Sequence, residues 1–97
     1  MIEINRKGNR VKIEGHTQAD ICAAVSTIMY TCYNILNQYD SKGIELNDAL
    51  ENGKGQDNVE VILRRNDTNT QLVWQVMCRE FEQLAKDNPG NVTYCEN

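Results

Sequence analysis

One histidine and four cysteines are the side chains of this sequence best suited to nucleophilic chemistry, and two of them lie close together. His16 is the single histidine, and Cys22 is the first of the cysteines, with five residues between them. A thiol attacks a carbonyl carbon as the thiolate, so it needs a group that takes its proton, and an imidazole can do so near neutral pH. The pair therefore indicates a nucleophile and its base, if the fold brings both side chains together.

The residues before the pair predict two strands. Ile2 and Ile4 alternate with polar residues, as do Val11 and Ile13, and a glycine-bearing turn separates the two runs. This pattern is typical of a β-hairpin with one buried face. His16 then stands at the end of the second strand on its polar face. A solvated side chain at a strand end is the simpler interpretation of this histidine.

The residues after the pair predict a helix from about Ala19 to Tyr39. One apolar stripe, at three- and four-residue steps, contains Ile21, Val25, Ile28, Cys32, Ile35 and Tyr39. An adjacent stripe contains Cys22, Ser26, Met29, Tyr33 and Leu36. We expect the first stripe to pack on a sheet. The apolar arc is wider than one sheet face requires, which indicates a second contact surface such as another subunit.

The start of this helix has two candidate caps. Thr17 with Asp20 three residues later fits a capping box, or Asp20 is the N-cap itself. With Asp20 as the cap, Cys22 lies in the first turn, where free N–H groups and the helix dipole favour a thiolate. With Thr17 as the cap, the thiol lies a turn further in and this effect is smaller.

The second half predicts two more strands, a second helix and a last strand. Ile44 and Leu46 belong to one strand and residues 59–63 to the next, with a polar glycine-bearing turn at 52–58. Residues 66–70 offer several caps for the second helix. Its apolar stripe contains Val73, Val76, Met77, Phe81 and Leu84, with Leu72 beside it. Trp74 and Cys78 lie off this stripe, at the edge of the core or on a contact surface.

Val92 and Tyr94 alternate as the last strand. The prediction is an α+β fold, a mainly antiparallel sheet with two helices packed on it, in the order β-β-α-β-β-α-β.

Composition narrows the classes of function. A net charge of −4 argues against a nucleic-acid partner and is compatible with a basic protein partner. The N-terminus lacks the pattern of a signal peptide, and no apolar run reaches a membrane span, so we expect a cytoplasmic protein with reduced cysteines. With a single histidine and no Cys-x-x-Cys pair, we expect no metal site and no cofactor. We therefore interpret Cys32, Cys78 and Cys95 as packing residues.

Two short motifs around the pair resemble the Prp family of ribosomal-processing cysteine proteases. They are Gly15-His16 and the run Asp20-Ile21-Cys22-Ala23-Ala24-Val25-Ser26. The resemblance extends in element order over nearly the whole chain and implies one Prp-like domain over residues 1–97. It implies a cysteine endopeptidase that removes the N-terminal extension of a large-subunit ribosomal protein, and it implies a homodimer. In this family Cys22 would attack the scissile carbonyl and His16 would accept and return the proton. Asp20 would orient the histidine, and Ser26 would orient the thiol or the substrate.

A second hypothesis is a catalytically silent Prp-like binding or assembly module. The family has a longer, glycine-containing loop between the histidine and the cysteine, which lies over the active site. Here it shrinks to residues 17–21. In this second hypothesis Cys22 is a small packing residue of a helix, as many free cysteines are. The two hypotheses differ in what they require of its thiol, because a nucleophile must be reachable and reactive.

Overall fold

The computed structural model describes residues 1–48 and 58–97, which form five strands and two helices. The elements are β1 (Ile2–Lys7), β2 (Arg10–Gly15), α1 (Ala19–Tyr39), β3 (Ile44–Asp48), β4 (Asn58–Leu63), α2 (Thr68–Asp87) and β5 (Val92–Glu96). The predicted order and the predicted α+β class are confirmed. The predicted turn at 52–58 lies outside the described residues except for Asn58, which begins β4.

The strands form one mixed sheet in the order β3-β4-β2-β1-β5. β1 and β2 are an antiparallel hairpin in which Ile4 faces Ile13, and β4 and β3 continue the antiparallel pairing. β5 lies parallel to β1 at one edge, with Val92 beside Ile2. Parallel neighbours require a long connection, which the rest of the chain supplies.

One face of the sheet carries the core and the other is polar. Alternation in β1, β2 and β4 places the aliphatic side chains on the face that the helices cover, and these are Ile2, Ile4, Val11, Ile13, Val59, Val61 and Leu63. The intervening side chains of the same strands are more exposed. The result is a two-layer fold whose outer sheet face meets solvent.

Helix α1 begins and ends where the sequence predicts, but its buried stripe is partly different. Its buried residues are Ile21, Val25, Met29, Cys32 and Leu36. Ile28 is only partly buried against the core, and Ile35 and Tyr39 are about half exposed, at 49% and 55%. The predicted set was therefore wrong at these positions. A stripe that steps by four from Val25 reaches Met29, whereas the predicted three-residue step leads to Ile28, which lies at the side.

Helix α2 also turns a different face to the sheet. Trp74, Met77, Cys78 and Phe81 are fully buried, while Leu72 and Val76 are exposed. The prediction that Trp74 and Cys78 lie at the edge of the core or on a contact surface was wrong. The large indole adds more apolar burial than a valine, and its Nε1–H donates to the Gly8 carbonyl at 3.3 Å.

By length and composition α1 is long and apolar enough to cross a membrane, whereas the apolar runs of the sequence predict no membrane span. Within this fold, however, one side of the helix packs into the common core with the sheet and α2. Core helices of compact domains often have the same length and composition.

Candidate active site

The corner between β2 and α1 is short and its backbone is constrained. β2 ends at Gly15 and α1 begins at Ala19, so only residues 16–18 connect them. Gly15 has a φ of 90°, and a Cβ there would collide with the Met1 carbonyl oxygen. Only glycine fits such a close approach in this conformation. The glycine that precedes His16 therefore has a structural reason.

Two long-range hydrogen bonds hold this corner in place. The Met1 amino nitrogen donates to the His16 carbonyl oxygen at 2.9 Å. The Thr17 hydroxyl donates to Asn91 Oδ1 at 2.6 Å, and Asn91 directly precedes β5. The corner is thus attached to β1 on one side and to the start of β5 on the other.

The thiol of Cys22 lies against the backbone of this corner. Cys22 is half-buried in the first turn of α1, and its N–H donates to the Gln18 carbonyl at 3.0 Å. The Thr17 N–H donates to Sγ at 3.3 Å, and the thiol donates to the Thr17 carbonyl at 3.5 Å. An N–H donor suits a thiolate and a carbonyl acceptor suits a thiol, so one peptide segment can hold the sulfur in either form.

The cap of α1 differs from both predictions. The N-cap is Gln18, and its side chain makes no capping hydrogen bond. Thr17 is directed to Asn91, and Asp20 lies in the first turn, where its Oδ1 accepts from the Ile21 N–H at 3.0 Å. With Gln18 as the N-cap, Cys22 is the fourth helical residue and its N–H already donates within the helix, so it closes the first turn and lies further in than a cap at Asp20 would place it. The N–H groups of Ala19 and Asp20 precede the first intrahelical bonds, so they have no acceptor within the helix.

The other predicted site residues, His16, Asp20 and Ser26, are all exposed. His16 begins the three-residue link and its side chain is exposed. Ser26 is exposed one helical turn after Cys22. Asp20 is exposed and its carboxylate contacts the start of its own helix. The corner therefore brings the backbone of His16, the backbone of Thr17 and the thiol of Cys22 together, with Ser26 one turn beyond.

The sequence does not reveal the roles that Thr17 and Asn91 have in this corner. The sequence indicates Thr17 only as a helix cap and gives Asn91 no part in the site. Their hydrogen bond joins positions that are 74 residues apart in the chain. The turn residues Asn88-Pro89-Gly90 just before Asn91 indicate that a helix ends there, but no local pattern predicts its partner.

The remaining cysteines fall into two groups. Cys32 and Cys78 are packing residues, as interpreted, although Cys78 lies within the core and not at its edge, and burial raises the pKa of each thiol. Cys95 is exposed on β5, so its interpretation as a packing residue was wrong. It occupies an alternate position of an edge strand, on the side away from the buried Val92. Among the described residues, no group of three or more His, Cys, Asp or Glu side chains could hold a metal ion.

A half-buried thiol near a helix start, with a histidine in the short link before it, supplies the residue types that the thiol-hydrolase class uses as nucleophile and base. Comparison with known proteins agrees with this class. The family model described as cysteine protease Prp matches residues 1–93. The chain therefore belongs to the Prp family of cysteine proteases.

Solved structures with the same fold include proteins of this family. The ribosomal processing protease Prp of Staphylococcus aureus, in complex with a covalently linked product peptide, matches with a TM-score of 0.85 at 17% identity over 100% of both chains. The same protease with a substrate peptide gives a TM-score of 0.80 at 17% identity, again over 100% of both chains. SMU.848 from Streptococcus mutans gives 0.77 at 19% identity, covering 98% of this chain and 90% of the other. At these identities the likeness concerns the fold. No curated protein gives a significant match.

Proposed function

We propose that this protein is a cysteine endopeptidase in which Cys22 is the nucleophile and His16 the general base. The observation that carries the proposal is the position of the Cys22 thiol in the first turn of α1, against the short link that His16 begins. Membership of the Prp family supports it.

The reaction follows from the groups at the corner. His16 takes the thiol proton, and the sulfur of Cys22 attacks the scissile carbonyl carbon to form a tetrahedral intermediate. The N–H groups of Ala19 and Asp20, which have no acceptor within the helix, are suited to stabilise the oxyanion. The C–N bond then breaks, and His16 returns the proton to the leaving amine. Water, deprotonated by His16, releases the acyl group from sulfur and restores the thiol.

The substrate we propose is the N-terminal extension of a large-subunit ribosomal protein, cleaved in the cytoplasm. The solved relative from Staphylococcus aureus is a ribosomal processing protease. Ribosomal proteins are generally basic, and the net charge of −4 on this chain would steer such a partner toward it. The three-residue link leaves little chain for a lid, so we expect an open site with modest selectivity between peptides.

The direct test is cleavage of an unprocessed ribosomal protein, followed by intact-mass spectrometry. We expect a trimmed product with the wild-type protein and none with Cys22→Ala, which keeps the helix because alanine is a good helix former. His16→Ala should reduce the rate by at least about a hundredfold, the lower end of what general base catalysis contributes. Cys95→Ala, which removes an exposed thiol on β5, serves as the control and should cleave normally. Equal cleavage by Cys22→Ala and wild type would contradict the assignment.

A silent binding module is the alternative, and one observation favours it. The hydrogen bonds of the Cys22 sulfur to the Thr17 N–H and carbonyl satisfy the thiol without any substrate. If this contact is structural, the unprocessed ribosomal protein should bind without being cleaved. Wild type and Cys22→Ala should then have the same affinity in a titration followed by calorimetry.

We also propose that the protein forms a homodimer through the outer surface of the two helices. Ile35 and Tyr39 of α1 are exposed, and so are Leu72 and Val76 of α2. A small apolar cavity of about 180 Å³ lies between the helices, lined by Ile35, Leu36, Tyr39, Asn69, Thr70 and Val73. Apolar surface of this kind on a small domain is typical of an interface.

The dimer is tested by sedimentation equilibrium at micromolar concentration, where we expect about twice the mass of one chain. Ile35→Glu should shift the equilibrium to monomer, because it places a charge within the apolar surface. Gln38→Glu, which adds the same charge at another exposed position of α1, is the matched control. A monomer at all concentrations for the wild type would rule out this interface.

A further inference from the structure

A second polar cleft lies at the opposite end of the sheet from the candidate active site. It has a volume of about 430 Å³ and is lined by Arg6, Gly8, Gln75, Arg79, Glu96 and Asn97. Gly15, next to His16, pairs with Ile2 at one end of β1, whereas Arg10 pairs with Lys7 at the other end, beside this cleft. The two places are therefore separated by the length of β1, about 17 Å at 3.3 Å per residue.

Arg6 supplies a mostly buried positive charge to this cleft. Its side chain is only 12% exposed. Its Nε donates to the Gly8 carbonyl at 3.0 Å, and its Nη1 donates to Gln75 Oε1 at 3.1 Å. Both acceptors are neutral. The nearest carboxylate in the described part of the chain is Glu96, whose Oε1 lies 3.9 Å from Nη1, beyond hydrogen-bond distance.

Glu96 occupies the space between this arginine and a second one. Its Oε1 pairs closely with Arg79 and accepts a hydrogen bond from the Tyr94 hydroxyl at 2.8 Å. Arg79 also contacts Glu82 at 3.1 Å and is about half exposed. A carboxylate of the protein itself is thus held by the Arg79 guanidinium and a hydroxyl at the wall of an open cleft, with the Arg6 guanidinium 3.9 Å away. This is the donor set that recognises planar or tetrahedral oxyanions.

We propose that this cleft binds a small oxyanion ligand, a phosphate or carboxylate compound, whose anionic group replaces the Glu96 carboxylate between Arg6 and Arg79. The volume lies within the range of small-molecule sites, which leaves room for more than the anionic group. Ion pairs that reach solvent contribute little to stability, so the Glu96 side chain can leave at small cost. The ligand would give Arg6 a direct anionic partner, which Glu96 at 3.9 Å does not.

The buried indole of Trp74 provides a specific signal for this site. Trp74 is the only tryptophan of the chain, and its Nε1–H donates to the Gly8 carbonyl that Arg6 also contacts. Its single indole N–H cross-peak in a ¹H–¹⁵N spectrum should move when an anion binds to Arg6. The test is a titration of the whole protein with inorganic phosphate, and separately with succinate, at constant ionic strength set with sodium chloride. We expect a saturable shift with at least one of them, and the tighter of the two identifies the ligand class.

Two matched pairs of variants decide whether the arginines and Glu96 form this site. Glu96→Gln removes the competing carboxylate and should tighten binding by up to about fivefold, the limit set by an exposed ion pair. Arg79→Gln should weaken it to the point where no saturation is reached. Glu45→Gln and Arg64→Gln, which break a similar exposed pair on β3 and after β4, should leave binding unchanged. The proposal is overturned if the indole signal moves only linearly with either anion, or if Glu96→Gln and Glu45→Gln bind with the same affinity.

Discussion

The two helices of this protein begin in opposite ways. At the start of α2 the Asp67 carboxylate accepts hydrogen bonds from the Thr70 N–H at 3.3 Å and from the Thr70 hydroxyl at 3.0 Å. Arg65 holds that carboxylate in turn, with a distance of 2.7 Å from Nε to Oδ1. At the start of α1 the N-cap Gln18 makes no side-chain hydrogen bond to the helix.

This difference separates a helix start that serves folding from one that is available for chemistry. Both helices have a carboxylate near their positive end, Asp67 as the N-cap of α2 and Asp20 in the first turn of α1, so the charge near the dipole does not distinguish them. In α1 the first-turn N–H groups of Ala19 and Asp20 have no acceptor within the helix, and Cys22 lies directly behind them. A capping carboxylate at Gln18 would occupy the same N–H groups that a thiolate or an oxyanion needs. The poorer cap is therefore consistent with a site.

The largest expected effect is on thiol reactivity. It can be measured at the same helical position in both helices. Cys22 and Gln71 are each four residues after their N-cap, and each N–H donates to the carbonyl of that cap residue. In a Gln71→Cys variant treated briefly with iodoacetamide at pH 6.5, Cys22 should be alkylated at least about tenfold faster than the introduced thiol in α2, as thiolate stabilisation at an open helix start implies. Peptide mapping by mass spectrometry measures both rates in one sample.

Cys95 provides the control for exposure, and His16→Ala the control for the histidine. Cys95 is exposed and Cys22 only half-buried, so accessibility alone would make Cys95 the faster thiol. We expect the reverse order in the wild type and a loss of the preference in His16→Ala. If Cys22 reacts no faster than Cys95, the corner does not activate its thiol and the silent-module hypothesis is preferred.

The next effect is on stability, and it should be confined to α2. Asp67→Ala removes a carboxylate that accepts from both the backbone and the hydroxyl of Thr70, so it should lower the urea midpoint of unfolding by several tenths of a molar. Gln18→Ala is the matched change in α1 and should leave the midpoint almost unchanged, because no capping bond is lost. Equal losses for both variants would mean that the two starts do not differ in capping.

The fold could be predicted from the sequence because its signals are local. In the hairpin Ile2 and Ile4, and likewise Val11 and Ile13, alternate with polar residues, and this pattern predicts one buried face. Both helices show long apolar stripes. The exact buried faces could not be read in the same way. A helix that is apolar over a wide arc has several stripes that fit, and the choice between Ile28 and Met29 depends on how the helix lies on the sheet.

The candidate site was only partly predictable for a related reason. The positions of His16 and Cys22 follow from local patterns, and the short link between β2 and α1 was visible in the spacing. The contacts that shape the corner are not local. Met1 approaches Gly15 so closely that no side chain fits there, and Thr17 donates a hydrogen bond to Asn91. Both contacts depend on how segments that are distant in the sequence meet. No pattern within a window of a few residues predicts either contact.

A smaller effect is expected when the cap of α2 is transferred to α1. Gln18→Asp should raise the urea midpoint slightly, since aspartate is a preferred N-cap and glutamine is not. The same carboxylate should slow alkylation of Cys22 several-fold, because its negative charge disfavours a nearby thiolate. Gln18→Asn is the matched neutral variant, which occupies the same N–H groups without the charge, so it should raise the midpoint and slow the alkylation less than Gln18→Asp does. Slowing by both variants alike would show that the N–H groups matter more than the charge.

The smallest expected effect is a pH dependence of the folding stability, and it comes from the carboxylates that Arg65 holds near the start of α2. Hydrogen bonds from Arg65 lower the pKa of Asp40 and of Asp67, and Arg65 Nη1 lies 2.9 Å from Asp40 Oδ2. A carboxyl whose pKa is lower in the folded state adds stability above its unfolded pKa of about 3.9, and that stability is lost as the pH falls through the folded value.

Arg65→Met should therefore have a lower urea midpoint than wild type at pH 7. The two midpoints should converge as the pH falls from about 3.9 through the lower folded pKa values of Asp40 and Asp67, where both carboxyls become protonated. Arg65→Lys keeps the charge but cannot hold Asp40 and Asp67 at once with two separate nitrogens. Its urea midpoint should therefore lie between those of wild type and Arg65→Met. Urea unfolding followed by the fluorescence of Trp74 at pH 7, 4 and 2.5 measures the difference. A gap between wild type and Arg65→Met that stays constant down to pH 2.5 would show that Arg65 acts through its packing on the Tyr39 ring, 5.2 Å away, and not through the two carboxylates.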